Sequence, residues 1–209
     1  MSKISFIYFD VGGVAIQDFS DSPKWDVMMQ DMGLDKFDRS KIDSIYDEFE
    51  NEVCIGKRHI DTLLPLYEKE YGVKFDPDFS MLGYFVDHFD PNPSIGEIIK
   101  KIKKTHQIGL LTDMYPGMLD MIFAKGLLER GDWDQIVDSS VIGLRKPMKE
   151  MYELATKMAG VPSGEILFID NRQKNIEGAK NAGWQTFFYD SKDYLESSHQ
   201  LSQFLNLAD

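Results

Sequence analysis

Four short runs of apolar residues punctuate the chain: ISFIYF at 4–9, QIGLLT at 107–112, EILFID at 165–170 and QTFFY at 185–189. Each is continuous rather than alternating, the pattern of a strand covered on both faces. QIVDSS at 135–140 reads as a further, shorter strand. Helical periodicity fills the intervals. In PSIGEIIKKIKK the residues Ile95, Ile98, Ile99 and Ile102 share one face, and Ser94 with Glu97 has the spacing of a capping box. LDMIFAKGLLERG predicts another helix, KEMYELATKMAG stops at Gly160 just before Pro162, and NIEGAKNAG closes on Gly183. Strands alternating with helices imply right-handed crossovers and an α/β fold built on a parallel sheet. Sites in such sheets lie at the carboxyl ends of the strands.

The interval after the first strand is different. From Asp18 to about Phe89 only helical patterns occur. DRSKIDSIYDEFENEV carries an apolar stripe of Ile42, Ile45, Tyr46 and Phe49, and RHIDTLLPLYEKEYG reads as a second helix. The expected organisation is a core of residues 1–17 and 89–209 with an all-helical cap, 18–88, inserted over the active edge of the sheet. There are no repeats or low-complexity tracts. The methionine groups WDVMMQDM, DMYPGMLDM and KPMKEMYELATKM read as adaptable core filler.

Composition narrows the function. A chain of 209 residues with 43% hydrophobic and 28% charged content can bury a substantial core as a globular domain. The net charge of -12 is the wrong sign for a nucleic-acid surface, while a small anionic ligand needs only a few converging cations. One cysteine, Cys54, and four scattered histidines form no disulfide and no zinc-type ligand set, so Cys54 reads as a packing residue. No apolar run is long enough for a signal peptide or a membrane span, which makes a cytoplasmic location the default expectation. Nothing in the pattern sets an oligomeric state.

Candidate chemistry gathers at the strand ends. The first run closes on Asp10 and opens into DVGGVAIQD, a carboxylate at the sheet edge followed by backbone free to bend. LLTDMYPG ends a strand on Thr112, GLRKPMKEMY places Lys146 just before a helix, and ILFIDNRQKNIEGA ends a strand on Asp170. Each residue has an ordinary structural reading: a turn aspartate, a β-branched strand residue, a solvated lysine, a helix N-cap.

In the order Asp, Thr, Lys, Asp, the set resembles the haloacid dehalogenase superfamily over essentially the whole chain. It is similar in particular to small sugar-phosphate phosphatases with an Asp-x-Gly first motif and a fourth motif running into N-I-E-G-A. The resemblance implies a Rossmann-like core of strand order 5-4-1-2-3, Mg²⁺ as cofactor, and a small phosphorylated metabolite as substrate, with sugar phosphates one candidate class. By position, Asp10 would be the nucleophile and a metal ligand. The Gly12 carbonyl would be a second ligand, with Asp170 and Asn171 completing the shell. Thr112 would hydrogen-bond the phosphoryl oxygens and Lys146 would neutralise them, with Gly12, Gly13 and Asp113 beside the phosphate. The chemistry is coherent: phosphoryl transfer is mostly positioning and charge neutralisation, and Mg²⁺ accepts oxygen ligands while keeping several waters.

Three positions depart from the pattern. Gly12 stands where these phosphatases usually carry a general-acid Asp, Asn171 where a second Asp is common, and Asp113 where an Asn is common. A carboxylate at 113 is unhelpful to a phosphate unless it points away. Arg145 reads as a surface or cap-facing charge, and Asn175 as a helix-start hydrogen bonder that orients the site. Asp18 and Asp21 read as solvated loop acids, with a stand-in general acid as the sharper alternative. Two other classes stay open: a non-catalytic binding protein of this fold, and a dehalogenase that uses the same aspartate on carbon without a metal.

Overall fold

The structure is a computed structural model that describes residues 3–17, 19 and 22–207. Five parallel strands form one sheet: β1 (Phe6–Phe9), β2 (Gln107–Thr112), β3 (Gln135–Asp138), β4 (Ile166–Asp170) and β5 (Gln185–Phe188). Their order is β3-β2-β1-β4-β5, the expected 5-4-1-2-3 arrangement. Alternation along the strands feeds two cores. Ile7, Phe9, Ile108, Leu110, Leu167 and Ile169 point to one face, and Phe6, Tyr8, Leu111, Val137 and Phe168 to the other. β3 runs into the short helix α7 (Ser139–Ile142), and the second face is closed by α8 (Lys149–Ala159) and α9 (Gln173–Asn181). There Trp184 stacks on Tyr8 at 5.5 Å, and the Tyr8 hydroxyl donates to the Ala155 carbonyl at 2.9 Å.

The first face is covered by α5 (Gly96–Ile102), α6 (Met118–Ala124) and α10 (Tyr194–Phe204), and the helices that lie between β1 and α5 join the same apolar cluster. Those helices are α1 (Lys24–Asp31), α2 (Arg39–Cys54), α3 (Leu64–Tyr71) and α4 (Met81–Asp87). The segment RHIDTLLPLYEKEYG is not one helix. A 3-10 turn, Ile60–Leu63, precedes α3, and Pro65 stands in the first turn of α3, where its missing N–H costs nothing. No helix among the described residues is long and apolar enough to cross a membrane.

Two local expectations are corrected. Ser94 does not cap α5: its hydroxyl bonds Asn92 Oδ1 at 2.7 Å and the Tyr194 carbonyl at 3.0 Å, and Glu97 pairs with Lys100 instead. Tertiary partners from α10 and the 92 loop outcompete the local cap. β5 is not covered on both faces either. It lies at the sheet edge, half-buried, with Phe188 exposed at its end.

Candidate active site

Register sets the floor of the site. Phe9 pairs with Leu110 on one side and Ile169 on the other, so Asp10 leaves the sheet level with Asp170. The Asp10 N–H donates to the Ile169 carbonyl at 2.9 Å, fixing the exit direction. The following turn folds back on itself: Gly13 N–H donates to the Ile16 carbonyl at 2.9 Å and Ile16 N–H to the Val11 carbonyl at 2.9 Å. Gly13 takes a left-handed φ of 80°, which glycine adopts without strain. Its N–H is therefore engaged and is no free donor for a phosphate, contrary to the expectation for that residue. Gly12 makes no hydrogen bond through its N–H or carbonyl among the described residues, and both are available to a ligand.

Lys146 is fully buried between the strand ends. Its Nζ lies 2.9 Å from Asp10 Oδ1 and 2.8 Å from Asp170 Oδ2, and donates to the Leu111 carbonyl at 3.1 Å. Burial alone would lower its pKa, but Asp10, Asp170 and Asp113 outweigh burial and hold the ammonium well above its ordinary range. Asp10 is pushed up to about 7, first by burial and then by Asp170, against the pull of Lys146. Its Oδ1 also accepts from the Val11 N–H at 2.8 Å, while Oδ2 accepts no hydrogen bond among the described residues.

The other strand ends are built to hold this cluster. Asp170 Oδ1 accepts the Arg172 N–H at 2.7 Å, and Asn175 Nδ2 reaches both Asp170 oxygens at 3.2 and 3.0 Å, the orienting role its position implied. Thr112 is wholly buried and its hydroxyl has no partner among the described residues. A buried orphan hydroxyl is costly unless a ligand completes it. Asn171 Nδ2 lies 3.4 Å from Ser191 Oγ. Asp113 Oδ1 accepts the Lys146 backbone N–H at 3.0 Å, and its Oδ2 lies 3.7 Å from Arg145 Nε. That carboxylate thus holds the lysine loop, although Asp113 also lines the cavity. Asp18 and Asp21, considered as stand-in acids, lie outside the described residues.

The floor opens into a cavity of about 310 Å³. Its far wall comes from α2, α4 and the loop after β2, where Tyr46, Phe85, Met114 and Tyr115 stand beside the charged Asp47 and Glu50. Sequence reasoning missed how α2 is held there. Tyr46, Glu50 and Cys54 stand one turn apart on a single face of the helix. The Tyr46 hydroxyl bonds that of Tyr115, and Glu50 Oε1 receives Arg145 Nη2 at 3.1 Å. The Cys54 carbonyl receives the Ser139 hydroxyl at 2.6 Å. Gly56 follows so closely on the core that a Cβ there would lie 1.9 Å from the Ser140 carbonyl oxygen. The 4-residue spacing of 46, 50 and 54 was the available signal, but the apolar stripe held Tyr46 and passed over the charged Glu50. Burial pushes the Cys54 thiol up to about 12, which leaves no thiolate in the cavity.

The donor set suits a hard cation. Among the described residues no three His, Cys, Asp or Glu side chains converge as a metal site. Two carboxylates, Asp10 and Asp170, do converge on one lysine, and Gly12 lines the same cavity as Asp10. Oxygen ligands with room for water fit Mg²⁺ and not a soft metal.

A family model described as haloacid dehalogenase-like hydrolase matches residues 4–183. No curated protein matches the sequence. Among solved structures, a HAD family enzyme from Bacteroides thetaiotaomicron superposes with a TM-score of 0.79 at 16% identity, covering 96% of this chain and 99% of its own. The wild-type form of that enzyme in complex with magnesium and inorganic phosphate gives a TM-score of 0.72 at 16% identity, over 91% and 96% of the two chains. The L-2-haloacid dehalogenase of Xanthobacter autotrophicus, with chloropropionic acid covalently bound, gives 0.63 at 17% identity, over 99% and 85%. At these identities the likeness establishes the fold.

Proposed function

The chain belongs to the haloacid dehalogenase-like hydrolases, and we propose that within them it is a Mg²⁺-dependent phosphatase acting on a small phosphomonoester through an aspartyl-phosphate. The observation that carries this reading is the buried Lys146 ammonium bridging Asp10 and Asp170 at 2.9 and 2.8 Å on the floor of a cavity. A carboxylate fixed beside a cation is equipped to approach a phosphate dianion, which an unscreened carboxylate repels. The magnesium complex of the Bacteroides enzyme with inorganic phosphate supports the same assignment.

In this reading Asp10 attacks phosphorus, an Asp10 O–P bond forms, and the P–O bond to the leaving group breaks with its electron pair on the departing oxygen. Water then attacks phosphorus, releases inorganic phosphate and restores the carboxylate. Lys146 neutralises Asp10 and the transferring group, the Thr112 hydroxyl donates to a phosphoryl oxygen, and the Gly12 N–H supplies a backbone donor. The Asp10 carboxylate, the Gly12 carbonyl, Asp170 and Asn171 would hold Mg²⁺, which supplies charge neutralisation when bound. Residues 1–17 and 89–209 act as the catalytic core and 18–88 as the cap.

The test is phosphate release from a panel of phosphomonoesters with Mg²⁺ and with chelator. Release that requires Mg²⁺ is the expected result. No release from any ester, by folded protein in Mg²⁺, would remove the phosphatase reading. Metal-independent turnover of a 2-haloacid would replace it with the dehalogenase chemistry.

A further inference from the structure

Four rings in the cavity lining form an edge-to-face series, beside a charged part of the lining made by Asp47, Glu50, Arg145, Arg172 and Lys174. Phe89 meets Phe19 at 6.0 Å, Phe19 meets Phe85 at 4.8 Å, and Phe85 meets Tyr115 at 5.7 Å, with interplanar angles of 89°, 70° and 68°. All four rings line the cavity. Next to the rings, two sets of polar groups are matched to each other. Arg145 and Glu50 form an ion pair, and the Tyr46 and Tyr115 hydroxyls share a hydrogen bond. That bond uses one of the two hydroxyl protons, and the other has no acceptor among the described residues. A polyhydroxylated leaving group laid along these rings would bury donors and acceptors against ring carbons, each at a cost when left unpaired. An aromatic leaving group would extend the edge-to-face series and could offer one oxygen to the tyrosine pair.

A second observation, independent of the wall, points the same way. Gly12 brings no acid to the cavity, and a Cβ there would meet nothing within 4 Å. Without an acid from this position, the leaving oxygen departs carrying more of its charge. A phenol, with a pKa of about 10, does so far more readily than an aliphatic alcohol.

We infer that the leaving group is aromatic: the substrate is an aryl or closely similar planar phosphomonoester rather than a sugar phosphate. The inference rests on the phosphatase reading. The Asp10 O–P bond forms as the aryl O–P bond breaks, the electron pair leaves on the phenolate, and water protonates it after departure.

The experiment measures binding of three phosphonates, which cannot be hydrolysed, to the wild-type protein in Mg²⁺ by calorimetry. Methylphosphonate probes the floor alone, benzylphosphonate adds a ring, and the phosphonate analogue of a hexose 6-phosphate adds a polyol. Benzylphosphonate is expected to bind at least about tenfold tighter than methylphosphonate, and the hexose analogue no tighter than methylphosphonate. In Phe85→Leu the benzyl advantage shrinks while methylphosphonate binding holds. A hexose analogue that binds as tightly as benzylphosphonate overturns the aromatic assignment and leaves the phosphatase reading standing. If none of the three binds, both fall. The wild-type ratios decide the matter whether or not the variant folds.

Discussion

Asp10 and Asp170 stand at the ends of neighbouring parallel strands, with Lys146 in the loop beyond β3. Tyr46, Glu50 and Phe85 come instead from helices inserted between β1 and β2. The first group is placed by register: once Phe9 pairs with Leu110 and Ile169, the two carboxylates have little freedom to move apart. The second group is placed by packing and by three polar links from α2 to the core. Charge dominates the floor, where Lys146 is buried against two carboxylates. Ring contacts dominate the wall. A floor set by register and charge suits a fixed reaction centre, whereas a wall set by side-chain packing can change its selectivity without disturbing that centre.

The sharpest way to break this division is at the floor. Asp10→Asn is expected to lower single-turnover phosphate release by at least about 10³-fold, because the amide is a poor nucleophile and loses the charge that faces Lys146. Retention of most of the turnover would end the proposed chemistry. The same variant reports on proton linkage in chelator. The Asp10 pKa, raised from 3.8 to about 7, means the folded state holds this proton more tightly than the unfolded state. Its stabilising contribution is complete below about pH 4 and is lost as pH rises through about 7, with a slope of at most about 1.4 kcal/mol per pH unit. Asp10→Asn should therefore gain stability relative to wild type between pH 5 and 8, as measured by urea unfolding. A relative loss over that window would contradict the burial argument.

Lys146→Met comes next. It removes the cation from two buried carboxylates, and breaking such a pair typically costs about 3–5 kcal/mol. Unfolding in urea with chelator present should show a loss of that order at neutral pH, recovered in part at low pH as the carboxylates take up protons. A loss below about 1 kcal/mol would mean that the site relaxes and admits water, and that the floor is less fixed than its distances imply.

These floor residues were legible in the sequence because a buried parallel strand is a local signal. A continuous apolar run ends where the chain leaves the sheet, so Asp10, Thr112 and Asp170 could be assigned to strand ends without knowing the tertiary structure. The strand order followed from the resemblance carried by those residues. The wall was not legible in the same way. Ile42, Ile45, Tyr46 and Phe49 marked the buried stripe of α2, but Glu50 and the Cys54 carbonyl find their partners 95 and 85 residues away in Arg145 and Ser139. Ser94 failed as a cap for the same reason, since its hydroxyl partner Tyr194 lies 100 residues on. Periodicity records which face is apolar. It carries no information about which polar group on that face will meet a counterpart from a distant element.

Gly12 offers a way to sharpen the contrast between floor and wall. The open space around a Cβ at this position, with no positive φ, allows an aspartate without backbone strain. A general acid is typically worth about 10²- to 10⁴-fold when well placed, and an unoptimised one should deliver about tenfold. Gly12→Asp is therefore expected to raise kcat/KM for alkyl phosphates by about that factor and to change aryl phosphates little. The dependence on leaving-group pKa across substituted phenyl phosphates should be steep in the wild type and shallower in the variant. A flat wild-type dependence, with chemistry rate-limiting, would mean that another residue already supplies the proton.

The smallest effect is expected at Asp113, where floor and wall meet. Its carboxylate accepts the Lys146 N–H at 3.0 Å and lies 3.7 Å from Arg145, which in turn holds Glu50 on α2. Burial raises its pKa, against the pull of Lys146 and its N–H. A bare carboxylate near a bound phosphate would repel it strongly, but here Lys146 and, to a smaller extent, Arg145 offset part of that charge. Asp113→Asn keeps an oxygen for the Lys146 N–H and gives up the attraction to Arg145. Vanadate binding in Mg²⁺ should tighten, by less than about tenfold, and the gain should fall with added salt. If binding weakens instead, the carboxylate matters chiefly for holding Arg145. Arg145→Gln should then weaken vanadate binding to the same extent, and the two changes together should cost no more than either alone, the signature of a single chain of contacts from Lys146 to α2.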